Sequence, residues 1–480
     1  MTKAHVRVRF APSPTGMMHL GNVRTALMNY LFAQQKNGTF IIRIEDTDFE
    51  RNFDPGAQQI LADLAWLGLE YQEGPEKGGP HEPYFQSMRT EIYLEKLKEF
   101  EQKKLVYRCF CTQEELEKKR QRQLALKQPP RYDRACLRLS SEQIHQNLAN
   151  KTPFIWRFKL NQEESVAVHD MSHGTINFDM KSFSDIPLTR QDGSFTFMFA
   201  NFVDDMLMGI THVLRGEDHL SNTAGQVAMY QAAGVKPPVF WHLPIICNAE
   251  GKKLSKRDFG FSLHDLRNAG FLPEAVVNYL AIIGASFEQE IMTLQELAQA
   301  MNFEQLSPTS QIKYDVEKLK WLNHKWIDRC PIERLVNLCK PYLEATFEYA
   351  HTVPHTTLAK LIELNRTDLT TLQDIVPALE FYFKAPELSK KMVALIADME
   401  LDTIKQIIKK HLPNIIANID EFLTHIKKDA QEHNIPIRTL FVALRIALMG
   451  KSNGPSIHDL IAMLGAEEAE RRFEALVQLS

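Results

Sequence analysis

Three separated stretches carry side chains that could handle phosphates or bind small charged groups. The first is Arg9-Phe10-Ala11-Pro12-Ser13-Pro14-Thr15-Gly16-Met17-Met18-His19-Leu20-Gly21-Asn22. Its prolines, glycine and small polar residues make a turn whose backbone amides, with a following helix N-terminus, can cradle a phosphate. His19 stands where it could touch that phosphate or simply cap the helix. The second is Glu45-Asp46-Thr47-Asp48, carboxylates that can face a cation, cap a helix or keep an edge soluble. The third is Lys253-Leu254-Ser255-Lys256-Arg257, which follows the polar loop Asn248 to Lys252; such a run is either a phosphate clamp or a solvated turn.

Regular elements must hold these groups in place. Val6, Val8 and Phe10 alternate with arginines and read as a strand, and Ala26, Leu27, Tyr30 and Leu31 then mark one face of a helix starting near Gly21-Asn22. Thr39 to Ile44 is a β-branched apolar run, a buried strand that ends at Glu45. A second helix is expected with Asp54 as N-cap, Pro55 at its first position, Ile60, Leu61, Leu64 and Leu67 on one face and Gly68 after its end. Strand, helix, strand, helix indicates a parallel, doubly wound α/β sheet of the Rossmann-like kind, whose ligands sit at the carboxyl ends of the strands. Ser13 and Glu45 both lie just past such ends.

From Glu91 to Arg190 the pattern changes to an α+β insertion. It has a charged helix over Glu114 to Leu126, a loop from Lys127 to Tyr132, and alternation at Phe154, Trp156, Phe158 and Leu160 and at Ile176, Phe178 and Met180. Asp192-Gly193 reads as a hairpin turn before Ser194 to Phe199. Beyond about Pro308 almost everything is helical in period, with no convincing strands; Ile404, Ile407, Ile408 and Leu412 share a face stopped by Pro413, and Leu444, Ile446 and Leu448 lie in another helix. The expected divisions are 1–90 and 191–247 for the two halves of the α/β domain, 91–190 for the insertion, 248–325 for a domain carrying the lysine loop, and 326–480 for an all-helical region.

The 480 residues are 44% apolar and 24% charged, the balance of an ordinary globular chain. A net charge of −4 means that any nucleic-acid contact must come from local basic patches. No apolar run approaches a membrane span, and no signal core follows Met1-Thr2-Lys3-Ala4-His5, so a cytoplasmic setting without membrane contact is expected. Six cysteines in a chain of this length do not make a disulfide scaffold.

Together, the Arg9–Asn22 stretch, Arg43-Ile44-Glu45-Asp46-Thr47-Asp48 and Lys253–Arg257 resemble bacterial-type glutamyl-tRNA synthetases of class I. His19-Leu20-Gly21-Asn22 resembles that family's first ATP signature and Lys253 to Arg257 its mobile second signature. Ala200-Asn201-Phe202-Val203-Asp204-Asp205 and Arg215-Gly216-Glu217-Asp218-His219 also match, at family-like spacing over the whole length. The resemblance implies ATP-dependent ligation of L-glutamate to the 3′ end of tRNA(Glu) through a glutamyl-adenylate, with ATP and Mg²⁺ as cofactors. His19, Lys253 and Lys256 would be catalytic; Ser13, His19, Gly21, Asn22 and the two lysines would bind ATP. Arg9 and Arg215 would take the γ-carboxylate and Glu45 the α-amino group, with Ala11, Ser13, Phe197 and Asn201 completing the pocket. The alternative is a non-discriminating enzyme that also glutamylates tRNA(Gln). A monomer is expected.

This chain departs from the family pattern at three points. Asn22 stands where a second histidine is common, and Phe197 stands where tyrosine is frequent, removing a hydroxyl. Cys109-Phe110-Cys111, followed after 24 residues by Cys136, matches a zinc-binding insertion of some members, but the fourth ligand position holds Arg138, which cannot ligate. Tyr132 or a water could replace it; three buried thiols without zinc are the simpler expectation. Cys247, Cys330 and Cys339 lack ligand spacing and are expected in the core. The helical third resembles an anticodon-binding region, where Arg366 and Arg445 fall in segments similar to anticodon contacts; surface ion pairs would explain them equally. That helical third also argues against a glutaminyl enzyme with C-terminal β-barrels and against a small-molecule adenylate-forming ligase. The length argues against a truncated glutamylating relative, and the retained His19, Lys253 and Lys256 argue against a catalytically dead tRNA-binding module.

Overall fold

The computed structural model describes residues 5–48, 54, 56–303, 311–387 and 400–479. Pro55 and Pro308, and the N-terminal residues before His5, lie outside them. The chain forms two compact units, residues 1–267 with 273–319, and residues 268–272 with 320–480.

In the first unit, β1 (Arg7–Phe10) leads through the proline turn into α1 (Leu20–Gln35), β2 (Thr39–Ile42) and α2 (Gln58–Trp66). β1 and β2 are parallel and in register, Arg7 opposite Thr39 through Phe10 opposite Ile42. Sheet on one side and helix on the other bury Val8, Arg9 and Phe10 alike, so the alternation in the sequence does not make one face wet. The second helix starts later than expected. Ala57, with φ of 51°, takes the N-cap position, and Asp54 reaches past it to accept the Gln58 and Gln59 amides at 3.1 and 2.8 Å. Asp54 still satisfies the first-turn donors, but from one turn upstream.

The next stretch contains α3 (Thr90–Gln102), β3 (Val106–Cys109), α4 (Gln113–Ala125), α5 (Ser141–Ala149), β4 (Ile155–Phe158), β5 (Ser165–Asp170), β6 (Gly174–Asp179) and β7 (Ile186–Pro187). β3, β4 and β7 make a small antiparallel sheet. β5 and β6 form a hairpin whose last β5 residue, Asp170, pairs parallel with Phe240. The chain then makes the Asp192-Gly193 turn, where Arg190 and Ser194 are joined by a backbone hydrogen bond of 2.8 Å. It does not continue as a strand: α6 (Phe197–Leu207) begins at once. Its aromatic content suggests β structure, yet Phe199, Phe202 and Val203 fall on one helical face and are fully buried.

β8 (His212–Gly216), α7 (Leu220–Ala233) and β9 (Val239–Leu243) complete the α/β half, with β8 and β9 parallel. Thr211 joins this sheet to β1: its amide donates to Arg7 O at 3.0 Å, and the Arg7 amide donates to Thr211 Oγ1 at 2.9 Å. β10 (Ile245–Cys247), α8 (Leu263–Asn268), α9 (Pro273–Ile282), α10 (Leu294–Ala300) and β11 (Gln311–Lys313) follow. β11, paired parallel with β10, is a strand beyond residue 308 where none was expected. At three residues it is too short to show a period.

The second unit is helical among its described residues. Helices Ile332–Thr346, His355–Asn365 and Ile375–Phe383 pack around Val336, Leu361 and Leu379. Helices Leu401–His411, Ile419–Glu432, Ile437–Met449, Ile457–Leu464 and Ala466–Val477 enclose Ile404, Ile408, Phe422, Leu444 and Phe473. The Ile404 face and the Leu444 helix form as the period predicts. Among the described residues no helix is long and apolar enough to cross a membrane.

A buried ionic knot closes the α/β half. Arg43, immediately after β2 and fully buried, places Nη1 2.6 Å from Asp205 Oδ1 and Nη2 3.1 Å from Glu45 Oε1. Arg9 Nε donates to the same Asp205 oxygen at 3.0 Å, and Asp204 accepts from Arg89, Gln86 and Tyr93. Three guanidiniums thus meet three carboxylates across β1, β2, α3 and α6. Replacing Arg43 by Met is expected to destabilise the protein by about 3–5 kcal/mol, the loss typical when one partner leaves a buried ion network. Urea unfolding of the variant and parent measures it.

Candidate active site

The carboxyl ends of β1, β2 and β8 open into a cavity of about 330 Å³ whose lining includes Arg9, Ala11, His19, Gly21, Asn22, Glu45, Phe197, Asn201, Arg215 and Lys253. A larger adjoining space of about 980 Å³ shares Ala11, His19, Asn22, Glu45 and Phe197 with it and adds Ser13 and Lys256. Every residue proposed from the sequence for the amino acid and for ATP therefore borders one continuous cleft. Arg9, expected to take a carboxylate, is 3% exposed.

His19 is the N-cap of α1, and its Nδ1 accepts the Asn22 amide at 3.3 Å. A backbone N–H can only donate, so Nδ1 is bare and the neutral ring carries its proton on Nε2. Gly21 leaves room for the ring: a Cβ there would lie 3.0 Å from His19 Cε1, a tight contact. Burial lowers the His19 pKa, and the positive charge of Lys253 lowers it further against the pull of Asp218.

The lysine loop is tied to His19 through its own exit. Asn248 O and N bracket a turn closed by Lys252 and Gly251, Cys247 bridges Lys253, and Leu254 is buried. Ser255 then donates to Asp258 through both its amide and hydroxyl at 2.8 Å, which presents Lys256 on the outside of a tight turn. Past the turn, Phe261 O accepts the Leu20 amide at 3.0 Å, and Met18 O accepts the Leu263 amide at 2.9 Å. The segment that follows the second signature is thus bridged, at Ser262, to the backbone of the first at His19. Lys253 Nζ rests 3.1 Å from Asp218, with both side chains more than half exposed.

Opposite them lies the charged end of the cavity. Glu45 Oε1 accepts from Arg43 and from Asn201 Nδ2, the latter at 2.5 Å. Burial pushes the Glu45 carboxyl up, with Arg43 and Arg9 opposing. Asn201 Oδ1 accepts from Gln226 Nε2 at 2.9 Å, and Gln226 Oε1 accepts from Arg215 Nη2 at 2.6 Å. Arg215 is 6% exposed, yet its Nε and Nη1 have no hydrogen-bond partner and no carboxylate contacts it among the described residues. Burial lowers its pKa to about 9, and the charge of Arg9 adds to the effect. A buried guanidinium with unused donors, beside a second one and a carboxylate, is a site for a small molecule carrying both an anionic and a cationic end. Phe197 covers this end, its ring 5.6 Å from that of His219.

Several participants were not singled out from the sequence: Arg43, Asp204, Asp205, Gln226 and His219. An arginine inside the apolar run of β2 and paired aspartates inside an aromatic helix are the local signals, since charges in such places need partners.

Cys109, Cys111 and Cys136 lie with their sulfurs within 4.8 Å of one another. Cys111 and Cys136 Sγ are 3.5 Å apart, close to the ~3.8 Å edge of a tetrahedron with 2.3 Å zinc–sulfur bonds. Tyr132 Oη sits 3.2 Å from Cys109 Sγ and 3.9 Å from Cys111 Sγ, at the open corner. Arg138 turns away to donate to Asp133 O at 3.1 Å, so it supplies no ligand, as its chemistry required. Cys247, Cys330 and Cys339 are buried in the core. In the helical unit, Arg366 donates to Asp328 O at 3.2 Å and pairs with Glu363, while Arg445 holds Ser452 O and Pro455 O at 3.1 and 3.2 Å.

Residues 5–321 match the catalytic domain of the class I tRNA synthetases for E and Q, and residues 334–477 match an anticodon-binding domain. The chain is 38% identical over 475 residues to a glutamate–tRNA ligase from Carboxydothermus hydrogenoformans, covering 98% of this chain and 99% of that one. It is 36% identical to another from Bacillus licheniformis, with 98% and 99% covered. A crystal structure of a glutamate tRNA ligase from Elizabethkingia meningosepticum, in complex with its amino acid, superposes with a TM-score of 0.89 at 32% identity, covering 98% of this chain and 99% of that one.

The geometry around His19 gives a signed pH prediction. Lys253→Ala removes a cation that disfavours the imidazolium and frees the Asp218 carboxylate that favours it. Both changes raise the His19 pKa, so in an NMR titration the ring should charge at higher pH in the variant than in the parent protein.

Proposed function

The chain belongs to the class I tRNA synthetases, among the bacterial-type glutamate–tRNA ligases, and on that premise we propose that the charged end of its cleft selects L-glutamate and the His19–lysine end activates it with ATP. The observation that carries this reading is Arg215, which lines the same cavity as Arg9 and Glu45 and has two buried donors without a hydrogen-bond partner.

Arg9 and Arg215 take the side-chain carboxylate, and Glu45, with Asn201 beside it, takes the α-ammonium. The ammonium also restores charge to a carboxyl that burial pushes up. Glutamine would direct an amide at a guanidinium that needs an anion and would leave it uncompensated, a mismatch worth up to about 10⁴-fold in selection where the polar group is fully desolvated.

For ATP, Leu243, Pro244, Ile245 and Ile246 form an apolar slot next to Gly21 that suits a planar base. The triphosphate then runs toward the α1 N-terminus, where His19 Nε2–H, Asn22, Lys253 and Lys256 converge with the turn amides near Ser13. The glutamate α-carboxylate attacks the α-phosphorus; a new P–O bond forms, the bond to the leaving pyrophosphate breaks, and glutamyl-adenylate results. A terminal hydroxyl of tRNA then attacks the acyl carbon and AMP leaves. No protein nucleophile is needed. Catalysis comes from positioning and from stabilising charge on the phosphate oxygens, to which a neutral His19 can donate. Bound Mg²⁺ would supply additional positive charge at the phosphates, beside the cations of Lys253 and Lys256.

We also propose that Cys109, Cys111, Cys136 and Tyr132 hold a structural zinc, three sulfurs and a phenol oxygen closing the site. It has no part in the chemistry. Metal analysis of the purified protein should find about one zinc per chain, lost in Cys111→Ser, as expected for a closed four-ligand site; a metal-free parent refutes it.

Charging assays with purified tRNA(Glu) and tRNA(Gln), using labelled glutamate or glutamine, test the function and show whether both tRNAs are accepted. ATP–pyrophosphate exchange with and without tRNA tests the adenylate. Lys256→Ala is expected to lose nearly all aminoacylation while still binding tRNA; unchanged turnover would remove that lysine from the phosphate site.

A further inference from the structure

Behind Arg215 lies a line of buried polar groups that the reaction above does not use. Arg215 Nη2 donates to Thr223 Oγ1 at 2.7 Å, Thr223 Oγ1 lies 2.7 Å from His242 Nε2, and His242 Nδ1 lies 2.7 Å from Asp170 Oδ2. Thr223 and His242 are fully buried and Asp170 is 4% exposed. The ends fix the direction of every proton between them. A guanidinium only donates and a carboxylate only accepts, so Arg215 N–H points to Thr223, the Thr223 hydroxyl to His242 Nε2, and His242 Nδ1–H to Asp170. His219 O, 3.1 Å from the same hydroxyl, is its longer alternative acceptor.

The far end is rigid. Asp170 Oδ2 also accepts the His242 amide at 3.0 Å, while Oδ1 accepts the Ser172 and His173 amides, each at 2.9 Å. The near end is equally constrained, because Nη2 is shared between Thr223 and Gln226 and one corner of the guanidinium is pinned. Charge is balanced along the line as well. Arg215 is the cation left over when Arg9, Arg43 and Arg89 are matched with Asp204, Asp205 and Glu45, and Asp170 is a buried anion whose nearest buried partner is a neutral ring. Burial and the field of Arg215 keep His242 in that neutral form.

We propose that Asp170, His242 and Thr223 form a positioning relay that fixes the direction of Arg215's free donors and thereby sets the affinity for the amino acid's side-chain carboxylate. This rests on Arg215 being the carboxylate-binding group. Asp170 ends β5, so the inserted β5–β6 hairpin contributes to amino-acid selection without touching the amino acid.

The test is ATP–pyrophosphate exchange with tRNA present, on the full-length enzyme, in Thr223→Val, Thr223→Ser, Asp170→Asn and Arg215→Gln. Thr223→Val should raise KM for glutamate at least about tenfold, the scale of one hydrogen bond to a charged group, with KM for ATP and kcat near parent values. Thr223→Ser, which keeps the hydroxyl, should restore glutamate KM. Asp170→Asn can donate to His242 Nδ1, reversing the tautomer and turning Nε2–H against Thr223, so it should also raise glutamate KM selectively; it tests the far end should Thr223→Val fail to fold. Unchanged glutamate KM in Thr223→Val or Asp170→Asn, equal rises for glutamate and ATP, or a serine variant as impaired as the valine one would each overturn the relay. Unchanged glutamate KM in Arg215→Gln would instead overturn the site reading beneath it.

Discussion

The arrangement of the first unit depends on a positive charge that the protein leaves uncompensated. Arg215 is buried beside Arg9, and burial together with that neighbour lowers its pKa to about 9. Desolvating a guanidinium without a partner opposes folding. The fold tolerates it because the surrounding cations are already neutralised: Arg43 is fixed between Asp205 and Glu45, Arg9 against Asp205, and Arg89 against Asp204. In this knot Asp204, Asp205 and Glu45 are each engaged by another arginine, and no ion pair to Arg215 forms among the described residues. Its remaining donors stay without a partner, and in the proposed site folding free energy would be exchanged for a preorganised place for an anion.

The phosphate end follows a different rule. Lys253 and Asp218 are both more than half exposed, so their contact contributes little and is easily exchanged. The backbone around the loop is firm, with Leu254 buried on one side and Phe261 to Leu263 laid against Met18 to Leu20 on the other. Between these anchors the Ser255–Asp258 turn carries Lys256 outward. In the proposed ATP site, fixed ends and weakly held tips would let two cations reach phosphates without dismantling the frame that also holds His19. Rigid charge selection and adaptable charge delivery thus occupy the two ends of one cleft.

Legibility in the sequence tracked locality. The strand–turn–helix around His19, the lysine run and the C-terminal helices depend on residues close in the chain, and periodicity and turn chemistry revealed them. Asp54 was expected as the N-cap, but Ala57, in a left-handed conformation that composition does not announce, holds that position, and Asp54 only accepts first-turn amides from upstream. The helix over Phe197–Leu207 was hidden by its phenylalanines, which suit strands on propensity although their spacing is helical. Arg43, Gln226, His242 and Asp170 come from four elements and matter only through contacts far apart in sequence. Of these only Arg43, a charge at the end of an apolar run, carries a local mark. Tyr132 is intermediate: weighed as a replacement zinc ligand, it became identifiable only when the loop placed its oxygen among the sulfurs.

In the proposed amino-acid site, the same geometry would decide how glutamate is told from glutamine. The two are nearly isosteric, so shape contributes little and discrimination must come from charge. A carboxylate about 4 Å from a guanidinium at an effective dielectric near 20 gains about 4 kcal/mol, equivalent to roughly a thousandfold in binding. A neutral amide gains almost none of this, and its NH₂ faces further donors. That advantage exists only while Arg215 lacks a carboxylate of its own; an aspartate within contact distance would stabilise the protein and remove the preference. The placement of Asp170 at the end of a hydrogen-bonded relay, instead of in direct contact, satisfies both demands: it orients the guanidinium while leaving its charge available to the substrate.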